Sequence, residues 1–156
     1  MKMIIREISE TENKDYWIGE IGKAKWRAGK YLCELLSTSD FYKLCGKSSK
    51  VFLLTDENNL VSFCTFAETD DIDDTELTPW IGFVFTFPQY RGKRNIEKLF
   101  NHIYPIAKSQ GIKTIYISTD QKGLYENFGY TFYTTLKDRN GDMSLVYKRD
   151  IVLEHC

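Results

Sequence analysis

Residues 80–87 read as a β-strand rich in aromatic and β-branched side chains. They break into a basic, glycine-bearing turn, Pro88-Gln89-Tyr90-Arg91-Gly92-Lys93-Arg94, which opens a helical run at Asn95. A strand that feeds a helix through such a turn leaves the first backbone N–H groups of the helix unpaired, with the positive end of the helix dipole behind them. These donors converge on one point, and that point suits a phosphate group. The segment matches neither G-x-x-x-x-G-K-[ST] nor G-x-G-x-x-G, so the triphosphate and dinucleotide loops are excluded at the level of motif.

The rest of the chain supplies a scaffold for this junction. At 156 residues it predicts one domain, 1–156, that buries roughly 70% of its unfolded surface. No repeat or linker divides it. Residues 3–8 predict a strand. Trp17, Ile21, Ala24, Ala28, Tyr31, Leu32 and Leu35 then recur at helical spacing, and Gly19, Gly22 and Gly29 predict two pieces or a bend. Ser39 and Asp40 are set to cap a short helix through Leu44, ended by Gly46. Strands over 50–55 and 60–68 flank a hairpin turn at 56–59.

Strict alternation over 81–87 places Ile81, Phe83, Phe85 and Phe87 on one face and Gly82, Val84 and Thr86 on the other, one face bulky and one small. Ile96, Leu99, Phe100, Ile103 and Ala107 form the stripe of the next helix. Pro105 predicts a kink or an early break near Tyr104, and Gly111 a stop. A strand over 113–118, a short helix over 121–128 capped by Asp120 or Thr119, and strands over 131–136 and 143–148 complete the order. The last two are joined through Asn140-Gly141. The pattern is that of a mixed α/β sheet with helices on both faces.

Composition narrows the partners. A net charge of −1 provides no global field for nucleic acid or an anionic membrane. No apolar run approaches membrane-spanning length, and the first residues are too short an apolar run for a signal peptide, so the expected location is cytoplasmic. Cysteines at 33, 45, 64 and 156 and histidines at 102 and 155 show no ligand spacing, which predicts no metal site and reduced thiols. Cys64 reads as a strand residue, Cys156 as a free terminal thiol, and His102 as a surface residue off the apolar stripe.

Two segments carry a resemblance to a known family. Pro88, Gln89 and Gly92 fit the pyrophosphate loop of the GCN5-related N-acetyltransferases (GNAT family), written Q/R-x-x-G-x-G/A, with Arg94 standing where Gly or Ala is usual. About 30 residues on, the run from Gly123 through Leu124, Tyr125, Glu126, Asn127, Phe128 and Gly129 to Tyr130 is similar to that family's L-Y-E-K-x-G-F signature. The resemblance implies a single-domain acyl-CoA N-acyltransferase fold with a mostly antiparallel sheet that splays at the cofactor site. It implies acetyl-CoA as cosubstrate, and a primary amine of a small molecule or peptide as acceptor by direct transfer. A homodimer is allowed. A module that binds CoA without turnover is the alternative, suggested by Arg94 and by the lack of an evident base.

Carried over residue by residue, the resemblance puts Val84 and Thr86 at the positions whose backbone bonds the pantetheine arm. Gln89, Arg91, Gly92, Lys93, Arg94 and Asn95 fall on the pyrophosphate, with Arg94 narrowing the loop or reaching a ribose phosphate. Tyr125 falls where the family carries the acid that protonates the departing thiolate. The usual asparagine before that helix has no counterpart. Glu76, Asp74 and Asp120 are candidate bases, with solvated loop acids as the alternative reading. Residues 68–76 hold six acids in nine positions and would draw in a cationic amine, or else form a solvated loop. Trp80, Glu76, Trp17, Trp26 and Tyr16 are the expected acceptor wall, with core packing as the alternative reading of Tyr16, Trp17 and Trp26 at their helical spacing.

Overall fold

The computed structural model describes residues 2–73 and 75–151, so Asp74, His155 and Cys156 lie outside the described residues. Two runs of apolar β-formers make the middle of the sheet. They are β2 (Lys50–Asp56) and β3 (Asn59–Ala67), buried on both faces along nearly their whole length. Strands covered on both sides need helices on both sides. Outside them run β1 (Met3–Glu7), β4 (Trp80–Thr86), β5 (Thr114–Thr119), β6 (Thr131–Lys137) and β7 (Met143–Asp150), in the seven-stranded order β1-β2-β3-β4-β5-β7-β6. Every neighbouring pair is antiparallel except β4 and β5.

Helices α1 (Lys14–Gly22), α2 (Arg27–Ser37) and α3 (Asp40–Cys45) cover one face, with Trp17, Ile21, Leu32 and Phe41 packed on Val51, Leu53, Phe63 and Phe85. Helix α4 (Asn95–Ser109) covers the other, with Leu99, Phe100, Ile103 and Ala107 on Phe52, Leu54, Ile81 and Ile115. The expected mixed sheet with helices on both faces is what forms. No helix among the described residues is long and apolar enough to cross a membrane.

The first helical region does form two pieces, parted at residues 23–26 just after Gly22 ends α1, while Gly19 and Gly29 stay inside their helices. Two of these glycines serve close packing: a Cβ on Gly22 would lie 2.9 Å from Cys33 Sγ, and one on Gly29 3.0 Å from Ala24 Cβ. Several local expectations need correction. Ser39 makes no capping bond, and Thr38 Oγ1 instead accepts the Asp40 N–H. Helix α4 runs through Pro105 to Ser109. Asn101 and Pro105 are both exposed, so the carbonyl that Pro105 cannot bond is within reach of water. The helix expected over 121–128 shrinks to a 3-10 turn, Tyr125–Phe128, because Gly123 and Gly129 take left-handed φ of 89° and 85°. Side chains serve the freed N–H groups, with Thr119 Oγ1 accepting from Gln121 and the Glu126 carboxylate from Gly123.

The alternation expected in β4 also fails. Phe63 pairs with Phe85 but Thr65 pairs with Gly82, so Phe83 and Val84 oppose Cys64 alone. Phe83 is the extra residue of a β-bulge and sits at φ 48°, a left-handed conformation uncommon for a non-glycine residue. Ile81 and Val84 therefore pack toward α4, whereas Phe83, Phe85 and Phe87 pack toward α1 and α2.

Past the bulge β4 loses its second neighbour. Its sole registered pair with β5 is Trp80 with Tyr116, beside a bond from the Tyr116 N–H to the Pro79 carbonyl. Trp80 anchors that point: its Nε1 donates to the Leu77 carbonyl at 2.7 Å, its ring lies 5.6 Å from that of Tyr116, and Ile72 and Val146 enclose it. Trp80 is thus core, not acceptor wall. Trp80→Ala would leave a cavity and an unbonded carbonyl at the junction, and should cost about 3–5 kcal/mol in urea unfolding. A loss below about 1 kcal/mol would show that the junction does not rest on this ring.

Candidate active site

Beyond Trp80 and Tyr116 the two strands diverge and leave a gap. The Phe87 N–H bonds to the Val61 carbonyl in β3, so by alternation the backbone groups of Val84 and Thr86 face away from β3, into the gap. Unpaired strand edge of this kind accepts an extended chain as an added strand. The Thr86 carbonyl is already held by Arg91 Nε at 2.9 Å, which also sets the Arg91 guanidinium 5.3 Å from the centre of the Phe85 ring.

At the end of β4 a 3-10 turn, Pro88–Tyr90, leads into α4. The Arg91 N–H bonds to the Pro88 carbonyl, which removes it from the expected set of phosphate donors. The N–H groups of Gly92, Lys93, Arg94 and Asn95 meet no acceptor among the described residues. Gly92 and Arg94 both take left-handed φ, 83° and 53°, which turns these successive donors outward. Asn95 is buried and pins the turn, its Nδ2 donating to the Tyr90 carbonyl at 2.9 Å. Gln89 is exposed beside it.

Arg94 corrects the expectation that it narrows the loop or reaches a phosphate. Its guanidinium lies along the first turn of α4, paired with Glu97 at 2.8 Å. It also donates to the Asn127 carbonyl at 2.9 Å and lies 4.6 Å from the centre of the Phe128 ring. It ties the loop to the turn that carries Tyr125. Of the loop's cations, Lys93 alone has no partner among the described residues.

Tyr125 is buried on the α4 side of the gap against Phe100 and Tyr130. Burial, chiefly, with Cys64, Asp70 and Asp120 adding to it, pushes its phenol far above the ordinary range. The hydroxyl therefore keeps its proton and is a hydrogen-bond donor across neutral pH.

On the opposite face lies a cleft of about 1030 Å³, lined by Trp26, Tyr31 and Phe83 among others, with Asp70, Asp71 and Ser118 also in its wall. Trp26 stacks on Phe85 at 5.3 Å, so of the expected acceptor wall it is the aromatic that faces the cleft. Trp17 is core, bonded through Nε1 to Asn13, and Tyr16 ties α1 to the β2–β3 turn through the Asn58 carbonyl. Glu76 is exposed and does not line the cleft, and Asp120 is exposed in the turn after β5.

The acidic segment divides by partner. Asp73 is bonded to Arg139 at 2.7 Å, whereas Asp70 folds over Gly82, where any Cβ would overlap its carboxylate. Burial first, and the like charge of Asp71 second, push the Asp70 carboxyl up to about 7. Asp71 is also raised, again mainly by burial. From the sequence these two acids read as steering a cationic amine or as part of a solvated loop. The trace that could have singled out Asp70 is Gly82, a gap in an aromatic strand that marks close approach of another group. Among the described residues no group of side chains is arranged to hold a metal ion.

Comparison with known proteins agrees with this geometry. The sequence model of the acetyltransferase (GNAT) family matches residues 15–130. No curated protein matches the chain. An aminoglycoside 6'-N-acetyltransferase solved with coenzyme A superposes with a TM-score of 0.72 at 15% identity, over 98% of this chain and 99% of that one. The aminoglycoside 6'-N-acetyltransferase of Enterococcus faecium gives 0.67 at 15% identity, over 98% and 99%. An acetyltransferase from Streptococcus agalactiae gives 0.64 at 19% identity, over 95% and 98%. At such identities the likeness is one of fold.

The Asp70 shift has a consequence for stability. A carboxyl whose pKa rises from 3.8 in the unfolded chain to about 7 in the folded one makes the fold lose stability as pH climbs between those values. Asp70→Asn removes the charge and keeps the shape. Its melting temperature should exceed that of the wild type by several degrees at pH 8, and the difference should vanish by pH 4. An equal or lower melting temperature at pH 8 would show that Asp70 ionises without penalty.

Proposed function

The chain belongs to the acetyltransferase (GNAT) family, and from that membership we propose that it moves an acetyl group from acetyl-CoA to a primary amine of a small molecule or peptide, both bound at once across the β4–β5 gap. The observation that carries the reading is the coincidence of three features. An unpaired β4 edge at Val84 and Thr86 lies beside a seat of free N–H groups from Gly92 to Asn95, and Tyr125 is buried next to the same gap.

Acetyl-CoA, when bound, supplies a thioester whose carbonyl carbon accepts a nucleophile. The residues of the chain do the positioning. The Val84 N–H and C=O and the Thr86 N–H would bond the pantetheine arm. Gly92 to Asn95 would take the pyrophosphate, with Lys93 adding charge. Tyr125 would donate its phenolic hydrogen to the sulfur as the C–S bond breaks. Because burial holds that proton firmly, transfer is concerted with bond cleavage rather than ahead of it. The reading of a CoA-binding module without turnover rested on Arg94, on a missing base and on the missing asparagine before the Tyr125 turn. The Arg94 guanidinium is turned away from the loop's free N–H groups, and Asp70 and Asp71 stand in the cleft wall.

Turnover is tested by following free thiol while the protein is incubated with acetyl-CoA and spermidine, kanamycin, amino acids or a lysine-bearing peptide. Binding is tested separately. At a hundredfold excess over Kd a ligand specific to the native state adds about 2.7 kcal/mol, so CoA should raise the melting temperature. Gly92→Asp sets a carboxylate against the pyrophosphate and should abolish most of that rise. A rise that persists in this variant would refute the loop assignment.

Tyr125→Phe should lower kcat roughly 10²-fold or more while acetyl-CoA affinity stays within a few fold. A wild-type kcat would leave Tyr125 a packing residue.

A further inference from the structure

Resting on the transfer reading above, we propose that the cleft floor beside Gly82 is the seat of the acceptor's ammonium group. Asp70 is the base that takes its proton, and Asp71, Ser118 and Thr65 are the groups that hold it.

The sheet register brings these residues together. Thr65 stands directly opposite Gly82, the glycine that Asp70 covers, so its side chain shares that face of the sheet. Ser118 follows Ile117, which packs toward α4, and so faces the cleft, whose wall it joins with Asp70 and Asp71. Thr65 is 1% exposed, and its Oγ1 is buried with no hydrogen-bond partner. Asp71 Oδ1 and Ser118 Oγ are likewise buried and unpartnered. Ser118 interacts with the Asp71 carboxyl and draws it down, yet Asp71 Oδ1 and Ser118 Oγ find no partner of full hydrogen-bond geometry.

An unpaired buried polar atom costs on the order of 1–3 kcal/mol, and native folds retain few of them. Of the three such side-chain atoms among the described residues, two belong to the cleft wall and the third, on Thr65, to the same sheet face opposite Gly82. An ammonium brings three N–H donors and would satisfy acceptors that the chain leaves empty.

The charges around Asp70 suit a base. Asp71 beside it opposes ionisation, and Arg139, the nearest cation, is turned to Asp73 and only tempers this. Tyr125 stays neutral across the gap. From α2 and the residues before it, Lys25, Arg27, Lys30 and Glu34 reach the cleft wall, and Lys30 is bonded to the Gly22 carbonyl. A carboxyl that titrates near the working pH is matched to deprotonating an amine.

Asp70 takes one proton from the ammonium and passes it to solvent at the open cleft. The freed nitrogen lone pair forms the N–C bond as the C–S bond breaks. The Tyr125 phenol protonates the sulfur, and the second nitrogen proton restores the phenol. Base and acid thus stand on opposite faces of the sheet, one serving the amine and the other the thioester.

Steady-state kinetics test this with saturating acetyl-CoA and whichever of spermidine, kanamycin or the lysine-bearing peptide gives the highest kcat/KM, from pH 5.5 to 9. The wild-type kcat/KM for the amine, which reports the free enzyme, should fall on the acid side with an apparent pKa of about 7. Asp70→Asn should lower kcat roughly 10²-fold or more, flatten that limb, and keep the CoA melting shift. Gly82→Ala, which displaces the carboxylate and leaves Asp70 in place, should do much the same. Asp71→Asn should raise KM for the amine about tenfold with kcat within a few fold, as expected for lost binding without lost chemistry. An Asp70→Asn variant with wild-type kcat and an unchanged acid limb would overturn the assignment and leave the transfer reading intact. A wild type that turns over none of the amines would overturn both.

Discussion

The single pairing of Trp80 with Tyr116 is what the rest of the molecule turns on. Had β4 and β5 stayed paired along their length, the sheet would be sealed and no ligand could lie between them. Trp80 holds the strands together at one end through its ring and its bond to Leu77. The bulge at Phe83 raises the local twist just beyond, and β4 swings off. The left-handed φ of Phe83 has a structural cost, and packing against Tyr31 and the α1–α2 core holds it in place.

That opening gives the sheet two chemically different faces at one point. Toward α4 the surroundings are apolar and aromatic, and they keep the Tyr125 phenol protonated. Toward α2 they are polar and charged of both signs, with Asp70 and Asp71 beside Ser118, and contain unpaired polar atoms. An acid and a base in contact would neutralise one another. Separated by the thickness of a sheet and facing the same gap, they act on different partners. Arg94 adds a mechanical link: by bonding Glu97 and the Asn127 carbonyl it couples the position of the anion loop to that of the Tyr125 turn.

What the sequence made legible was local. The strand, the basic turn, the helix after it and the Tyr125 segment each lie within about a dozen residues, where composition and spacing speak directly. The bulge was illegible because it is defined by register against β3, and alternation within residues 81–87 gives no hint of it. Arg94 looked like an intrusion because its side-chain direction depends on Asn127 and Phe128, far along the chain. The cleft floor was hidden for the same reason: Thr65, Asp70, Gly82 and Ser118 come from separate segments that only the sheet brings together. Trp80 and Trp17 misled because large aromatics suit a core as well as a binding wall.

The central claim is that CoA lies in the β4–β5 gap as an added strand with its pyrophosphate on the loop. Amide hydrogen exchange, followed residue by residue with and without CoA, measures this directly. The account predicts that CoA slows exchange at Val84 and Thr86 and across Gly92 to Asn95, with little change in β1 and β2. Protection that leaves Val84 and Thr86 unchanged while appearing elsewhere would contradict it.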